Sequence, residues 1–286
     1  MTQTPAKLLL TLSCRDQIGI VADVSRFFVQ HDCNIVESAQ FEDPVSGSFF
    51  MRTAVESARS PSLEALRSAF LPIAERFRMN WQLTDKSSRM RTLIMVSRLG
   101  HCLNDLLFRY RTDQLPVDLR LIVSNHNDFA DLVRQNGTPF QLMEITPETR
   151  AAQEAALIQR IESEQIELIV LARYMQILSD GFCARYPGRI INIHHSLLPS
   201  FKGARPYHRA YERGVKLIGA TAHYVTAELD EGPIIEQDVR RVRHNFSADD
   251  LVAIGRQIET VVLANAVQWH AQRRVLLNGS RTVVFH

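Results

Sequence analysis

An apolar, β-branched run that carries two polar residues constrains the fold of this chain more than any other stretch. The run extends from Ile190 to His194, with Asn192 and His194 two positions apart, and a loop containing Ser, Pro and Gly follows it. On a β-strand, residues two apart point to the same face, so these side chains should emerge together where the strand ends. Asp230 lies further along, just before a Gly-Pro turn. An amide, an imidazole and a carboxylate can together steady an oxyanion, move a proton and orient the group that moves it.

Each of these three residues, taken alone, also fits an ordinary structural role. Asn192 can cap the end of a strand, His194 can be a hydrogen-bonded and partly buried histidine, and Asp230 can serve a turn. Their setting favours a functional site instead. Polar groups that flank an apolar strand and a loop mark the edge at which open α/β sheets bind ligands.

A metal site is an alternative use of the same region. His194, His195, His208 and His223 are numerous enough to bind zinc. Adjacent residues on a strand point in opposite directions, however, so His194 and His195 should not readily share an ion. We therefore expect no metal.

Alternating strand and helix patterns predict two domains. From residue 90 to 286, apolar strand-like runs alternate with helical ones, which predicts a doubly wound, Rossmann-like α/β sheet with a further strand at 281–285. Residues 1–85 follow the order βαββαβ, which predicts a ferredoxin-like unit. Between the two patterns lies a short polar segment, so we expect a linker at 86–89.

Composition and charge exclude several classes of protein. A formal charge of +2, from 33 basic and 31 acidic residues, gives no reason to expect binding to nucleic acid or to a membrane. No apolar run approaches the ~20 residues that cross a bilayer, and the N-terminus lacks a signal-peptide layout, so we expect a cytoplasmic protein. The four cysteines form no Cys-x-x-Cys pair, which favours reduced thiols. Cys102, beside His101, is a weak nucleophile candidate, with a small apolar filler as the alternative.

Three longer motifs around the polar residues resemble the folate-dependent formyltransferase family. They are Asn-Ile-His-His-Ser-Leu-Leu-Pro-Ser-Phe-Lys-Gly at 192–203, Gly-Ala-Thr-Ala-His at 219–223 and Asp-Glu-Gly-Pro-Ile-Ile at 230–235. The resemblance extends from about residue 90 to the C-terminus. It implies hydrolysis of 10-formyltetrahydrofolate to formate and tetrahydrofolate, with no separate cofactor. Such a reaction would supply formate for purine biosynthesis and balance the one-carbon pool.

The same resemblance implies roles for individual residues. Asn192, His194 and Asp230 would be catalytic: the amide and a protonated imidazole would receive the charge on the formyl oxygen, and the carboxylate would hold the histidine and position water. The segment after the strand at 167–172 would line the folate pocket, with an ordinary strand-to-helix loop as the alternative. The expected substrate-binding residues are Arg173, Met175, Gln176, Ile177, Leu178, His195, Ser196, Gly203 and His223.

Two other functions remain open at this stage. The formyl group could pass to an acceptor other than water, but residues 97–105 contain one glycine and would make a poor phosphate cradle. A C-terminal domain that binds transfer RNA is not expected either. His195 stands where proline commonly follows the catalytic histidine in the transferring relatives, and it could exclude amine acceptors, bind water or make a loop contact. Alternatively, the chain could be an amino-acid sensor whose α/β domain has lost activity.

A second resemblance concerns the N-terminal unit. Its Asp16-x-x-Gly19 turn, in the βαββαβ order, resembles the ACT domain, a small regulatory module. Such modules often pair edge to edge and bind amino acids at the interface. The resemblance therefore implies a homo-oligomer, as large as a tetramer, with glycine or methionine as candidate effectors. Asp16 would accept hydrogen bonds from the loop or the ligand, and Gly19 would allow close backbone approach. A plain dimerisation domain that binds nothing is the alternative.

Overall fold

The structure, a computed structural model, divides into two compact units. It describes residues 6–59, 62–199 and 206–286. The first unit comprises Met1–Ser88, Gln272–Asn278 and Val283–His286, and the second comprises Arg89–Ala271 and Gly279–Thr282. The chain therefore passes from the first unit to the second within the polar segment that separates the two sequence patterns.

The first unit contains a four-stranded antiparallel sheet and two helices. Numbered by their order in the chain, the four strands lie across the sheet as second, third, first and fourth. This unit has the order βαββαβ, as the sequence predicts. Its elements are β1 (Ala6–Arg15), α1 (Ile20–Gln30), β2 (Asn34–Asp43), β3 (Ser48–Ser57), α2 (Leu63–Phe77) and β4 (Asn80–Asp85).

Phe70 lies at the centre of the apolar core of this unit. It is fully buried on α2, and its ring packs edge-on against Phe27 of α1 at a centroid distance of 5.0 Å and against Trp81 of β4 at 4.8 Å. The hydroxyl of Ser62 accepts a hydrogen bond from the amide of Ala65 at 3.4 Å, which caps the start of α2. The cap and the ring contacts together fix the position of α2 on the sheet.

The second unit is a mixed α/β layer structure around a seven-stranded sheet. Two of its short helices, Asp180–Arg185 and Pro206–Glu212, were not indicated by the sequence. No helix in the described ranges is both long and apolar enough to cross a membrane. The elements are β5 (Met90–Val96), α3 (His101–Arg111), β6 (Val117–Ser124), α4 (Ala130–Gln135), β7 (Phe140–Leu142), α5 (Arg150–Ser163), β8 (Leu168–Leu171), α6 (Asp180–Arg185), β9 (Ile190–His194), α7 (Pro206–Glu212), β10 (Leu217–Tyr224), β11 (Ile234–Arg241) and α8 (Ala248–Ala271).

The order of these strands creates a topological switch point. The sheet runs β11-β10-β9-β8-β5-β6-β7, so the chain builds outward from β5 in one direction and from β8 in the other. The strands from β5 to β9 pair in parallel, whereas β10 and β11 are antiparallel additions. Every residue of β8 is buried, as its apolar sequence predicts. Open sheets of this kind bind ligands at the carboxyl ends of the strands beside the switch point.

The C-terminal segment differs from the prediction that it extends the second domain. Two strands, β12 (Val275–Asn278) and β13 (Arg281–Val284), pair with each other in a separate two-stranded sheet. Gly279 between them has a φ of 61°, and an Asn-Gly turn of this kind favours a local hairpin. Most of the segment is grouped with the first unit, where Asn278 donates a 2.8 Å hydrogen bond to Asp43 of β2.

We expect Phe70→Ala to destabilise the first unit strongly. Removing a fully buried aromatic ring leaves a cavity and costs about 3–5 kcal/mol. Denaturant unfolding, followed by the far-ultraviolet circular dichroism and by tryptophan fluorescence, to which Trp81 contributes, should show the loss as a lower midpoint. Leu71→Ala, on the same helix, is the control, because the Leu71 side chain is 47% exposed. Equal effects of the two substitutions would contradict this description of the core.

Candidate active site

A cleft of about 510 Å³ lies at the carboxyl ends of the central strands of the second unit. Its walls include the loop after β8, the end of β9, the loop between β10 and β11, and the start of α3. Asn192, His194 and Asp230, which the sequence predicts to be catalytic, all line this cleft. The cleft therefore occupies the position at which the strand order predicts a ligand site.

His194 and Asp230 are in direct contact, as the sequence predicts. Nδ1 of His194 lies 3.1 Å from Oδ2 of Asp230, and Nε2 lies 2.9 Å from Oγ of Ser196. The hydrogen bond with His194 and then the contact with His223, at 3.6 Å, lower the pKa of Asp230 against the opposing effect of burial. Asp230 is thus an anion at neutral pH that holds Nδ1–H of His194, and Nε2 faces the opposite side of the ring.

The loop between β10 and β11 determines where Asp230 lies. A backbone hydrogen bond of 2.9 Å, from the amide of Tyr224 to the carbonyl of Pro233, joins the two ends of the loop. Asp230 has a φ of 56°, a left-handed conformation that aspartate tolerates better than most residues. A Cβ at Gly232 would lie 1.7 Å from the carbonyl oxygen of Tyr224. Glycine is therefore required for the path that brings the carboxylate to His194.

Asn192 and His223 face each other across the antiparallel pair of β9 and β10. Nδ2 of Asn192 lies 3.2 Å from Nε2 of His223. Nδ1–H of His223 donates to the carbonyl of Tyr224 at 2.9 Å. His223 is 2% exposed, and its Nε2 also lies 3.6 Å from Oδ1 of Asp230. The part that His223 plays in substrate binding stays a prediction.

The loop after β8 forms an apolar wall of the cleft. Met175 and Ile177 are 57% and 63% exposed, whereas Arg173 is buried. Ser97, at the end of β5, accepts a 2.9 Å hydrogen bond from the amide of Met175 and donates one of 2.7 Å to Oδ1 of Asn125. Ser97 was not predicted, although its place at a strand end could have indicated it. The predicted pocket residues Arg173, Met175, Gln176, Ile177 and Leu178 all line the cleft.

A buried carboxylate that the sequence did not indicate also lines the cleft. Glu259 of α8 is 1% exposed. Its Oε2 lies 2.8 Å from Nε2 of His101 and 3.4 Å from Nε of Arg173, and its Oε1 accepts a 2.8 Å hydrogen bond from Tyr207. Burial would raise the pKa of Glu259, but the His101 hydrogen bond and the Arg173 charge outweigh burial and lower it. We call these four residues the Glu259 cluster.

His195 lies in the same cleft as His194, although the sequence predicts that the two point apart. β9 ends at His194, so the alternation of a strand does not extend to the next residue. The centroids of the His194 and His195 rings are 5.1 Å apart, and the centroid of the His195 ring is 6.4 Å from that of the Tyr207 ring. Burial, followed by the charges of Arg173 and His194, lowers the pKa of His195 to about 4. This ring is therefore neutral at neutral pH.

One group of possible metal ligands lies beside the cleft. His101, Cys102 and Glu259 each place a ligand atom within 4.8 Å of one another. The guanidinium of Arg173 contacts the same carboxylate, which opposes a further cation. Burial raises the pKa of Cys102 well above its ordinary value, so this thiol is a poor nucleophile and fits the role of a small apolar filler. The absence of a metal stays a prediction.

The remaining predicted residues lie in three places. Ser196 is buried beside His194, and Gly203 lies outside the described residues. Asp16 and Gly19 belong to the first unit, where Asp16 is exposed and Gly19 precedes α1 with a φ of 103°. This backbone conformation favours glycine.

Comparison with known proteins identifies the family. A family model described as formyl transferase matches residues 90–267. The formyltetrahydrofolate deformylase of Corynebacterium sp. (strain P-1) is 50% identical over 96% of this chain and 97% of the relative. That of Bacillus subtilis (strain 168) is 48% identical over 97% and 93%. A crystal structure of formyltetrahydrofolate deformylase from Burkholderia mallei matches with a TM-score of 0.95 and 52% identity, over 99% of this chain and 100% of that one. The chain belongs to the formyl transferase family.

We expect Asp230→Asn to lower the Tm at neutral pH, and we expect this decrease in Tm to become smaller in acid. Because its folded-state pKa is lowered, Asp230 contributes stability that is present above its unfolded pKa of about 3.9 and is lost as the pH falls through the lower folded value. Thermal unfolding between about pH 5 and pH 2 should therefore show a shrinking difference in Tm between wild type and variant. Asp128→Asn, at an exposed carboxylate of the same unit, is the control. A difference that grows on acidification would contradict the expectation.

Proposed function

We propose that the protein hydrolyses 10-formyltetrahydrofolate to formate and tetrahydrofolate. The observation that carries the proposal is the 3.1 Å contact between His194 and Asp230, beside Asn192 in a cleft of about 510 Å³. The named relatives, at 50% and 48% identity, support this choice of substrate. A cleft of this size accommodates a bicyclic ring such as the pterin, and the exposed side chains of Met175 and Ile177 offer it apolar contacts.

Hydrolysis begins with addition of water to the formyl carbon. The water oxygen bonds to that carbon, and the electron pair of the C=O bond moves to the formyl oxygen. The amide of Asn192 and a protonated His194 stabilise the negative charge on this oxygen, while Asp230 holds the imidazole. After one water proton is lost, the adduct re-forms its C=O bond and expels the folate nitrogen, which takes a proton from His194. Formic acid leaves and ionises to formate.

The surroundings of α3 support water as the acceptor. An acceptor with a phosphate would need space and positive charge at the start of this helix. Instead, His101 is engaged with the Glu259 carboxylate at 2.8 Å, so its imidazole is not free to bind a phosphate. A Cβ at Gly100 would lie 2.4 Å from the ring of Phe129. The space beside Gly100, at the start of the helix, is therefore filled by the Phe129 side chain.

The biological setting follows from the reaction. Release of formate would supply purine biosynthesis and balance the one-carbon pool, and the reaction needs no cofactor beyond its folate substrate. We place the protein in the cytoplasm, because its four cysteines are free and buried, which suits a reducing compartment. The proposal includes no nucleic acid or membrane partner.

The direct test is incubation of the full chain with 10-formyltetrahydrofolate and no other acceptor. Release of formate and tetrahydrofolate in equal amounts is the expected result. Turnover only after addition of an amine acceptor would favour formyl transfer. The absence of turnover under both conditions would favour an amino-acid sensor without catalytic activity.

We expect Asn192→Ala to lower kcat by roughly 10²–10³, because one donor to the developing oxyanion is lost. The KM for the folate should change little, since the ring of the substrate would contact other walls. Steady-state kinetics with 10-formyltetrahydrofolate measures both constants. Asn245→Ala, at an exposed residue of the same unit, is the matched control. A variant with near wild-type kcat would remove Asn192 from the mechanism.

We also propose that the first unit is an ACT-like regulatory and oligomerisation domain. The sheet order β2-β3-β1-β4 supports this, and so does the position of β2 at the edge of the sheet. Val36 and Phe41 of β2 are 48% and 44% exposed, which suits pairing with a second copy of the chain. We expect a homo-oligomer, with a tetramer as the upper candidate.

Glycine or methionine is the candidate effector at Asp16 and Gly19. Binding should raise the Tm in proportion to ln(1 + [L]/Kd), and Asp16→Ala should abolish the rise. Glu75→Ala, at an exposed acidic residue of α2, is the control. Light scattering should give a mass that is a multiple of the 32.6 kDa chain. An oligomer whose Tm responds to neither amino acid would indicate a plain dimerisation domain.

A further inference from the structure

We propose that His195 binds the attacking water and accepts its proton, and that the Glu259 cluster holds His195 in position. This inference rests on the proposed hydrolysis and adds a second histidine to it. His195 would be a catalytic residue, because it touches the reacting water. Glu259 and Tyr207 would be positioning residues, because they act through His195.

The proposed hydrolysis leaves one proton without an acceptor. Addition of water to the formyl carbon releases a proton, and a base within reach speeds this step. Asp230 is already engaged, because its two carboxylate oxygens contact His194 at 3.1 Å and His223 at 3.6 Å. His194 itself is protonated in this mechanism and gives its proton to the leaving nitrogen. The proton of the water must therefore pass to another group.

His195 has the position and the protonation state that this step needs. Its ring lines the cleft, 5.1 Å from the ring of His194. Burial of the ring, and then the charge of Arg173, lower the pKa of His195 and keep the ring neutral at neutral pH. One nitrogen of a neutral imidazole is a hydrogen-bond acceptor. Within the part of the chain that the structure describes, no hydrogen bond engages the His195 ring, so both of its nitrogens remain available to water.

The Glu259 cluster links the segments that form the wall of the cleft beside His195. Glu259 joins three separate walls: His101 at the start of α3, Arg173 after β8 and Tyr207 of α7. The ring of Tyr207 packs so closely on Gly255 that a Cβ there would lie 2.1 Å from it. Tyr207 is thus held at both its ring and its hydroxyl, 6.4 Å from the ring of His195.

Stability alone does not account for this cluster. Burying a charged pair is expensive, and well-packed apolar residues in its place are often neutral or stabilising. We infer instead that the charges of Arg173 and Glu259 and the ring of Tyr207 determine the charge state and the position of the His195 ring. After burial, the charge of Arg173 is the main influence that lowers the pKa of His195, and the charge of Glu259 partly offsets it.

Protons and electrons balance in the resulting step. The water oxygen bonds to the formyl carbon, one water proton moves to His195, and the C=O electron pair moves to the formyl oxygen. When the oxyanion re-forms its double bond, the bond from carbon to the folate nitrogen breaks, and His194 supplies a proton to that nitrogen. Formic acid then ionises to formate. One proton is released per turnover, and proton exchange with solvent resets both histidines.

The test compares two nucleophiles in the full-length protein. His195→Ala should lower kcat for hydrolysis of 10-formyltetrahydrofolate by roughly 10²–10⁴, the usual contribution of a general base. Hydroxylamine attacks without prior loss of a proton, so formation of formylhydroxamate by the same variant should fall less than 10-fold, by our rough estimate from that range. His244→Ala, at an exposed turn histidine of the same unit, should leave both rates unchanged.

The Glu259 cluster is tested with the same pair of reactions. Glu259→Gln should lower hydrolysis selectively, with the KM for the folate close to the wild-type value. Tyr207→Phe removes one hydroxyl and keeps the packed ring, so it provides the test if Glu259→Gln does not fold. A purely structural role would lower hydrolysis and hydroxylamine reaction together.

Two outcomes would overturn the inference. Hydrolysis by His195→Ala at near the wild-type rate would show that another group accepts the proton. An equal fall of hydrolysis and hydroxylamine reaction would show that the substitution damages the cleft in general. Both outcomes leave the proposed function intact, because that proposal fails only if the wild-type protein releases no formate from 10-formyltetrahydrofolate without an added acceptor.

Discussion

The contact between the His194 imidazole and the Asp230 carboxylate is the interaction on which the rest of the site depends. It joins the end of a central strand to a loop between two antiparallel strands, at 3.1 Å. A histidine held at Nδ1 by an anion keeps one ring orientation, so its Nε2 is directed consistently. The Asn192 amide, the His223 ring and the cleft walls are arranged around this fixed imidazole.

The sheet supplies this contact through a change in strand direction. Parallel strands bring β5, β8 and β9 to one edge, where the cleft lies. β10 then runs antiparallel to β9, so that His223 is opposite Asn192 and the loop leaves β10 next to Ile191. The loop must turn back toward His194, and its Gly232 and the left-handed Asp230 make that turn possible.

The cleft contains two carboxylates, Asp230 and Glu259, with different hydrogen-bond and ion-pair partners. Asp230 is an anion held by histidines beside the proposed reacting carbon. Glu259 is an anion held by a histidine, a tyrosine and an arginine on another side. His195 lies between the two groups, and burial with the nearby positive charge keeps it neutral while the two carboxylates stay ionised. Two histidines that adjoin in sequence therefore have separate electrostatic surroundings.

Apart from α6, α7 and β12, the sequence by itself determined the secondary-structure order and the parallel core, and it singled out Asn192, His194 and Asp230, because alternation on a strand and a glycine-bearing turn are local properties. It did not indicate roles for Glu259, Tyr207 or Ser97. Strand alternation suggested that His195 points away from His194, whereas His195 lines the same cleft, as the family resemblance implied. The tertiary structure decided these, since the partners of Glu259 come from three distant segments and the strand ends one residue before His195. It also decided that the last residues form a hairpin grouped mostly with the first unit, because no local pattern specifies which sheet a short C-terminal strand joins.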